Sequence, residues 1–280
     1  MRTMSRLLVA VALVATALPL TAQTPTPAAP AALRPAADQW RGMHWRNIGP
    51  EGNRFAAAAG VVGDPLTYFV GSASGGVWKT TDGGVNWRPT FDAHPVQSIG
   101  SLAVARSDRN VVWAGTGEAH IRSHISVGQG IYKSTDGGET WTLMGLERTA
   151  RIARIVIHPT NPDIVMACAL GHAYGPQPDR GVFRTTDGGA TWTKVLFVDE
   201  NTGCSDLAMD AGNPRVLFAG MWQIEIHTWG RTSGGPGSGL FKSTDGGTTW
   251  RKLEKGLPSL TGRIGLSLGL EAMAPFRSVE

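Results

Sequence analysis

Charged residues are scarce in this sequence: they make up 17% of its 280 residues, against 41% hydrophobic ones. This composition excludes a disordered chain, and the length suits one large domain or two small ones. The net charge is also small, at +4, and Arg2 and Arg6 contribute two of these charges. The charge balance therefore gives no indication of a nucleic-acid partner.

Several motifs of cofactor and catalytic sites are missing. No glycine-rich loop leads from a strand into a helix to hold a phosphate, and no serine stands in a nucleophile elbow. The string HIRSH places His120 and His124 four residues apart, but in a predicted loop, where this spacing does not bring both rings to one side. We therefore expect no metal, no cofactor and no serine-triad hydrolysis.

Cysteine is limited to Cys168 and Cys204, which stand in the apolar, strand-like segments VMACALG and GCSDLAM. An oxidising compartment would permit a bridge between them. Each segment by itself is typical of a buried small hydrophobic residue. The sequence thus favours two unbridged cysteines in the core, with a disulfide as the alternative.

The amino terminus carries the one long apolar run of the sequence. Residues 1–22 hold two arginines, then about a dozen apolar residues, then small residues near Ala22, which is typical of a secretory signal. An uncleaved anchor is the alternative, because Leu20 stands where a small residue is preferred. Residues 23–39 are rich in Pro and Ala and predict an extended linker. We expect an exported protein, periplasmic or secreted, without a transmembrane span after signal removal.

Glycine and tryptophan, by contrast, are abundant, with 37 and 10 residues, which favours tight turns and large aromatic wedges in an all-β fold. A nonapeptide recurs four times: KTTDGGVNW (79–87), KSTDGGETW (133–141), RTTDGGATW (184–192) and KSTDGGTTW (242–250). Each period also contains an apolar strand, a polar turn and a second apolar strand. Four strands per period of about 50 residues predict the blades of a β-propeller.

Residues 40–268 hold four such blades and, in TGRIGLSL, the start of a fifth innermost strand, whereas residues 269–280 depart from the repeat. The sequence therefore predicts part of a larger propeller, with pairing to a chain that supplies the missing blades as one consequence.

In each nonapeptide the glycines suit positive φ, and the aspartate can accept backbone N–H groups. A structural role is predicted for Asp82, Asp136, Asp187 and Asp245.

The pattern Ser/Thr-x-Asp-x-Gly-x-Thr-Trp resembles the Asp-box, or BNR repeat, of sialidases, sortilin-type receptor domains, xyloglucanases and photosystem II assembly factors. The first copy departs from it at Asn86. Over residues 40–268 the chain is similar to exported bacterial proteins with a sortilin-like propeller, often labelled BNR glycosyl hydrolases. The resemblance implies a propeller, but a fold shared by hydrolases and receptors does not decide between these functions.

The long loops 115–130, 170–181 and 221–239 are predicted on the face opposite the nonapeptides and hold the candidate site residues. Candidate catalytic carboxylates are Glu118, Asp179 and Glu225. Candidate ligand-binding residues, some of them at the starts of the innermost strands, are Arg54, His120, Arg151, His172, Tyr174, Arg180, Trp229, Arg231 and Arg263.

Three of these arginines, Arg54, Arg151 and Arg263, fall in one register of the repeat and could hold an anion. A sialidase is disfavoured, because the strings ARIA and GRIG lack the expected aromatic residue and proline. The favoured hypothesis is a binding module for a peptide, protein or polysaccharide, with Tyr174, Trp222 and Trp229 as contacts. The alternative is a glycoside hydrolase of the xyloglucanase kind, which needs two facing carboxylates.

Overall fold

A computed structural model describes residue 50 and residues 54–122 and 125–268 of the chain. These residues all belong to one compact unit, Asn47–Glu280. The predicted signal (1–22), the predicted linker (23–39) and the divergent tail (269–280) lie outside the described residues.

The described residues form 17 strands and a single 3₁₀ turn, Glu147–Thr149, and no α-helix occurs among them. The first blade consists of β1 (Phe55–Val61), β2 (Asp64–Ser72), β3 (Val77–Thr80) and β4 (Arg88–Pro89). The second consists of β5 (Ile99–Val104), β6 (Val112–Thr116), β7 (Ile131–Ser134) and β8 (Thr142–Leu143).

The third blade consists of β9 (Ile152–Ile157), β10 (Val165–Ala169), β11 (Gly181–Thr185) and β12 (Thr193–Leu196). The fourth consists of β13 (Thr202–Met209), β14 (Leu217–His227), β16 (Gly239–Ser243) and β17 (Arg251–Leu253). A further strand, β15 (Gly230–Ser233), pairs with the far end of β14.

Each blade is an antiparallel sheet whose strands follow one another in chain order. The innermost strands β1, β5, β9 and β13 of consecutive blades pack against each other. The predicted all-β fold of four-stranded blades is therefore confirmed. The predicted fifth strand corresponds to residues 262–268, which lie beside β13 but do not join a sheet of the described residues. Two hydrogen bonds connect them to β13. Ser205 Oγ donates to Ile264 O over 3.1 Å, and Leu266 N donates to Asp206 Oδ2 over 2.8 Å.

The hydrophobic core consists of layers between consecutive blades. Phe69, Phe91 and Trp141 fill the layer between the first and second blades. Trp113, fully buried in the second blade, meets Trp192 of the third edge-on, with ring centroids 6.0 Å apart. Large aromatic side chains thus wedge the sheets apart at a fixed distance, as the high tryptophan content predicted.

Cys168 of β10 and Cys204 of β13 form a disulfide between the third and fourth blades. The prediction of two unbridged cysteines is therefore wrong. Each residue is indeed fully buried among apolar side chains. However, the packing of the two blades brings their Cα atoms to 5.1 Å, which is within the range that a disulfide spans.

The nonapeptide turns close on their own aspartates. Asp136 Oδ1 accepts the Ser134 hydroxyl (2.7 Å) and the backbone N–H groups of Glu139 and Thr140 (3.0 Å each), while Oδ2 accepts the Thr140 hydroxyl (2.5 Å). In the divergent first copy the Asn86 side-chain amide donates to Asp82 Oδ2 over 2.8 Å, in place of that hydroxyl. These donors stabilise the charged carboxylate, and the backbone N–H and side chain of Asn86, with the Thr80 hydroxyl, lower the pKa of Asp82 to about 2.

The turns of each blade lie on one face, and the long loops lie on the other. The second nonapeptide is tied to the β5–β6 turn by the bond from Gly137 N to Asn110 O (2.9 Å). The fourth is tied to the β13–β14 turn by the bond from Gly246 N to Arg215 O (2.9 Å). Because antiparallel strands alternate in direction, the β6–β7, β10–β11 and β14–β16 connections emerge on the opposite face, which we call the long-loop face.

Candidate functional site

Two buried arginines hold the long loops in place. The Arg180 side chain has no exposed surface, and its guanidinium donates to the backbone carbonyls of His172, Gly175, Asn201 and Ile224. Removal from water lowers its pKa to about 10. Arg180 therefore fastens its own loop to the fourth blade and does not present its charge at the surface.

Arg151 is buried in the same way. Its Nη1 and Nη2 atoms donate to Gly171 O and Ile125 O, each over 3.3 Å, and so connect the loops 115–130 and 170–181. The other two arginines of the predicted register have different partners. Arg54 binds Glu118, and the Arg263 guanidinium lies 5.8 Å from the centre of the Trp222 ring. The three arginines of the register therefore have different protein partners.

Glu118 is a buried carboxylate that bridges two arginines. Its side chain is 2% exposed, Oε2 lies 3.2 Å from Arg54 Nη2, and Oε1 lies 3.1 Å from Arg122 Nε. The first contact connects the start of the first blade with the loop of the second. Both oxygens of Glu118 are thus occupied by cations that hold this loop.

The other two candidate carboxylates also have basic partners. Asp179 Oδ2 accepts from Arg148 Nε over 3.2 Å, and Glu225 Oε1 lies 3.1 Å from His227 Nε2. The three candidates come from three different blades, and each is paired with a base rather than with another carboxylate. Of the three, Glu225 lies nearest in sequence to the exposed aromatic residues of the long-loop face.

Tyr174 and His227 line a cleft on this face, and an exposed tryptophan stacks on His227. The Trp229 side chain is 84% exposed and stacks on the His227 ring, with centroids 4.7 Å apart and planes 6° from parallel. Tyr174 is 57% exposed. The cleft has a volume of about 550 Å³ and is lined by Arg122, Tyr174, Ile226, His227, Thr228, Gly230 and Arg231. We call it the aromatic cleft; it collects residues from the second, third and fourth blades.

The β14–β15 hairpin supplies one wall of the aromatic cleft. The sequence predicted a loop over 221–239, but β14 continues to His227 and pairs with Gly230–Ser233. The alternation of Ile224, Glu225, Ile226 and His227 is the sequence signal for this strand. Ile224 is fully buried, and Ile226 N donates to Ala173 O over 2.7 Å, which fastens the hairpin to the neighbouring loop.

A second cavity, of about 400 Å³, lies between the innermost strands. Its lining includes the charged residues Arg154, Asp206 and Arg263 and the imidazole of His120. Arg154 Nε donates to Asp206 Oδ1 over 2.8 Å. This ion pair was not predicted from the sequence, because both residues lie in segments that were predicted only as structural strands. Burial and the nearby Arg263 lower the pKa of His120.

The remaining candidates have separate positions. The backbone N–H of His172 donates to Gln177 Oε1 over 2.8 Å, and partial removal of its otherwise exposed ring from water lowers the pKa of that ring. Trp222 is 5% exposed, so it belongs to the core rather than to the ligand surface. His124 lies outside the described residues. Among the residues that the structure describes, no three His, Cys, Asp or Glu side chains are grouped closely enough to hold a metal ion.

The described part of the chain also contains no helix long and apolar enough to cross a membrane.

Comparison with known proteins identifies relatives of two kinds. Residues 129–261 match the family model Sortilin-Vps10, described as sortilin, neurotensin receptor 3. A xyloglucanase of a Paenibacillus species is 26% identical over 208 residues, which are 67% of this chain and 19% of that protein. The xyloglucanase Xgh74A of Acetivibrio thermocellus is 23% identical over 266 residues, 77% of this chain and 30% of the relative.

A solved structure shares the fold. The crystal structure of an ancestral GH74 enzyme superimposes with a TM-score of 0.55 at 22% identity, covering 75% of this chain and 25% of that one. The chain thus spans less than a third of the length of these relatives. The resemblance predicted from the four nonapeptides is confirmed: the chain is a β-propeller chain similar to sortilin-type domains and to glycoside hydrolases of the xyloglucanase kind.

Proposed function

We propose that this protein is an exported, glycoside-hydrolase-like propeller module that binds a polysaccharide in the aromatic cleft. The sequence favoured a binding module for a peptide, protein or polysaccharide over a hydrolase. The relatives favour the hydrolase-like alternative, because they are named xyloglucanases. The observation that carries the proposal is the stack of exposed Trp229 on His227, a residue that lines the same cleft as exposed Tyr174.

A sugar ring fits such a platform physically. The C–H groups on one face of a pyranose pack against an aromatic face, and the hydroxyl groups at the rim bind polar neighbours. Covering about 80 Å² of the Trp229 indole at about 25 cal/mol/Å² contributes about 2 kcal/mol. The His227 ring stacks under the indole, and the 3.1 Å contact of Glu225 Oε1 with His227 Nε2 positions that ring.

Cleavage is the second candidate activity, supported by the names of the relatives. Glycosidases use two carboxylates that flank the scissile bond. Glu118 is enclosed by Arg54 and Arg122, and Asp179 is paired with Arg148. Glu225, on the hairpin that borders the cleft, is the residue we assign as the acid if this chain takes part in hydrolysis.

The test uses xyloglucan, with binding measured by calorimetry and cleavage by release of reducing ends. Trp229→Ala should weaken binding about 30-fold, which corresponds to about 2 kcal/mol. Val85→Ala is the matched control, because Val85 is also exposed but lies in a nonapeptide turn on the opposite face. Equal affinity of wild type and Trp229→Ala, or no binding of xyloglucan or other plant polysaccharides, contradicts the proposal.

Glu225→Gln separates binding from cleavage. If the wild type releases reducing ends and this variant does so far more slowly with unchanged affinity, Glu225 takes part in the reaction. If the wild type binds xyloglucan without releasing reducing ends, the chain acts as a binding module.

A further inference from the structure

We infer that the aromatic cleft recognises a polysaccharide that carries carboxylates, that is, one built from uronic acids. This inference rests on the proposed function and adds the chemical class of the ligand. It is carried by two arginines that line the cleft and have guanidinium donors without a described protein acceptor, together with Tyr174 and the His227 ring on which Trp229 stacks.

Arg231 is the first of these arginines. It lies in β15, where its backbone pairs with Ile226, and its exposed side chain makes neither a hydrogen bond nor an ion pair with any described residue. Arg122 lines the same cleft from the second blade and uses only its Nε, in the contact with Glu118. Within the described residues its two Nη atoms have no acceptor. Two guanidinium groups therefore offer free N–H donors to the cleft.

The acids close to the cleft do not neutralise this charge. Glu118 has a side chain that is 2% exposed and gives one oxygen to Arg54 and the other to Arg122. Glu225 contacts the His227 ring and brings one negative charge, against the two positive charges of Arg122 and Arg231. The exposed charge that remains is positive, and a cleft lined by one sign of charge concentrates ions of the opposite sign.

A uronic acid matches this arrangement better than a neutral sugar does. Its ring stacks on an aromatic face as a neutral ring does, and its carboxylate stands at the rim of the ring. A guanidinium binds a carboxylate through two parallel N–H donors, which is stronger than a neutral hydrogen bond. The combination of Trp229 and Tyr174 with Arg231 thus fits ring and charge at once, whereas a neutral chain would use the aromatic residues alone.

The experiment compares polygalacturonate with fully methyl-esterified pectin, which has the same rings without the charge. Binding is measured by calorimetry in 150 mM NaCl, where attraction between exposed charges more than about 8 Å apart is largely screened. We expect polygalacturonate to bind the wild type about tenfold more tightly than the ester, because a tenfold gain in affinity is about what one hydrogen-bonded pair of charged groups contributes. Xyloglucan and dextran sulfate serve as the neutral and the polyanionic reference.

Arg231→Gln is the decisive variant, because the Arg231 side chain has no described partner whose loss could disturb the fold. It should abolish the preference for polygalacturonate and leave binding of the ester and of xyloglucan unchanged. Arg215→Gln is the matched control: it removes the same charge from an exposed position in the β13–β14 turn on the opposite face. We expect it to bind all four polymers as the wild type does.

The outcomes separate this inference from the proposed function. Equal binding of polygalacturonate and the ester overturns the inference while leaving polysaccharide binding intact. Binding of dextran sulfate as tight as that of polygalacturonate, or equal losses in Arg231→Gln and Arg215→Gln, also overturns it, because both indicate general attraction of polyanions. Binding of none of the four polymers overturns both proposals.

Discussion

The disulfide between Cys168 and Cys204 gives the sharpest prediction on stability. It connects two blades across a sequence separation of 36 residues, and both side chains are fully buried. Replacing both cysteines by alanine opens this loop in the unfolded chain. The unfolded state then gains conformational entropy, while the strand pairing within each native blade stays the same.

The expected loss follows from the loop length. A closed loop of 36 residues restricts the unfolded chain by about 13 cal/mol/K, or about 4 kcal/mol at 25 °C. Each removed sulfur atom is close in size to a methylene group, and its burial contributes about 1 kcal/mol. We therefore expect the double variant to lose about 6 kcal/mol. Two unbridged thiols would account for only about 2 kcal/mol.

Urea unfolding followed by tryptophan fluorescence measures this difference. The wild type in reductant should lose about 4 kcal/mol, whereas the double variant should unfold identically with and without reductant. Titration of thiols in the denatured, unreduced wild type should detect none. A loss of about 2 kcal/mol or less in the double variant, or two titratable thiols in the wild type, refutes the reasoning.

Two further predictions concern the nonapeptide turns. Asp82→Asn should destabilise the protein near pH 7. In thermal melts the difference in melting temperature between wild type and variant should shrink as the pH falls from about 4 towards 2, because the pKa of Asp82 in the folded protein is lowered to about 2. A difference in melting temperature that stays constant over this range contradicts the prediction. Gly189→Ala should cost at least about 1 kcal/mol more than Gly246→Ala in urea unfolding, since both have positive φ but only the Gly189 Cβ would meet buried Trp113, at 2.6 Å; equal losses contradict this.

The blade architecture could be predicted from the sequence because a repeated signal fixes it. Each nonapeptide marks the turn between the outer strands, so its position in the period also locates the long loops. The disulfide could not be predicted in this way, since the approach of Cys168 to Cys204 depends on how two blades pack. The same holds for Arg180: nothing in the string PDRG shows that four carbonyls from three segments converge on this side chain.

The aromatic cleft was predictable only in part. The sequence placed Tyr174, Trp229 and Arg231 in long loops of one face, and the structure brings Tyr174 and Arg231 to one cleft with Trp229 stacked beside it. The sequence could not show that Glu118 is enclosed between two arginines, because Arg54 comes from another blade, 64 residues away. Charges that neutralise each other across blades are invisible to a reading of single segments.

The closure of each nonapeptide on its own aspartate has a consequence for how such a chain can change in evolution. Every donor to Asp136 lies within four residues of it. A copied gene segment therefore carries with it all the contacts that shape its outer hairpin, and needs new partners only along the faces that meet adjacent copies. The number of units can grow or shrink by duplication and deletion, while the loops on the other side diverge freely towards new ligands.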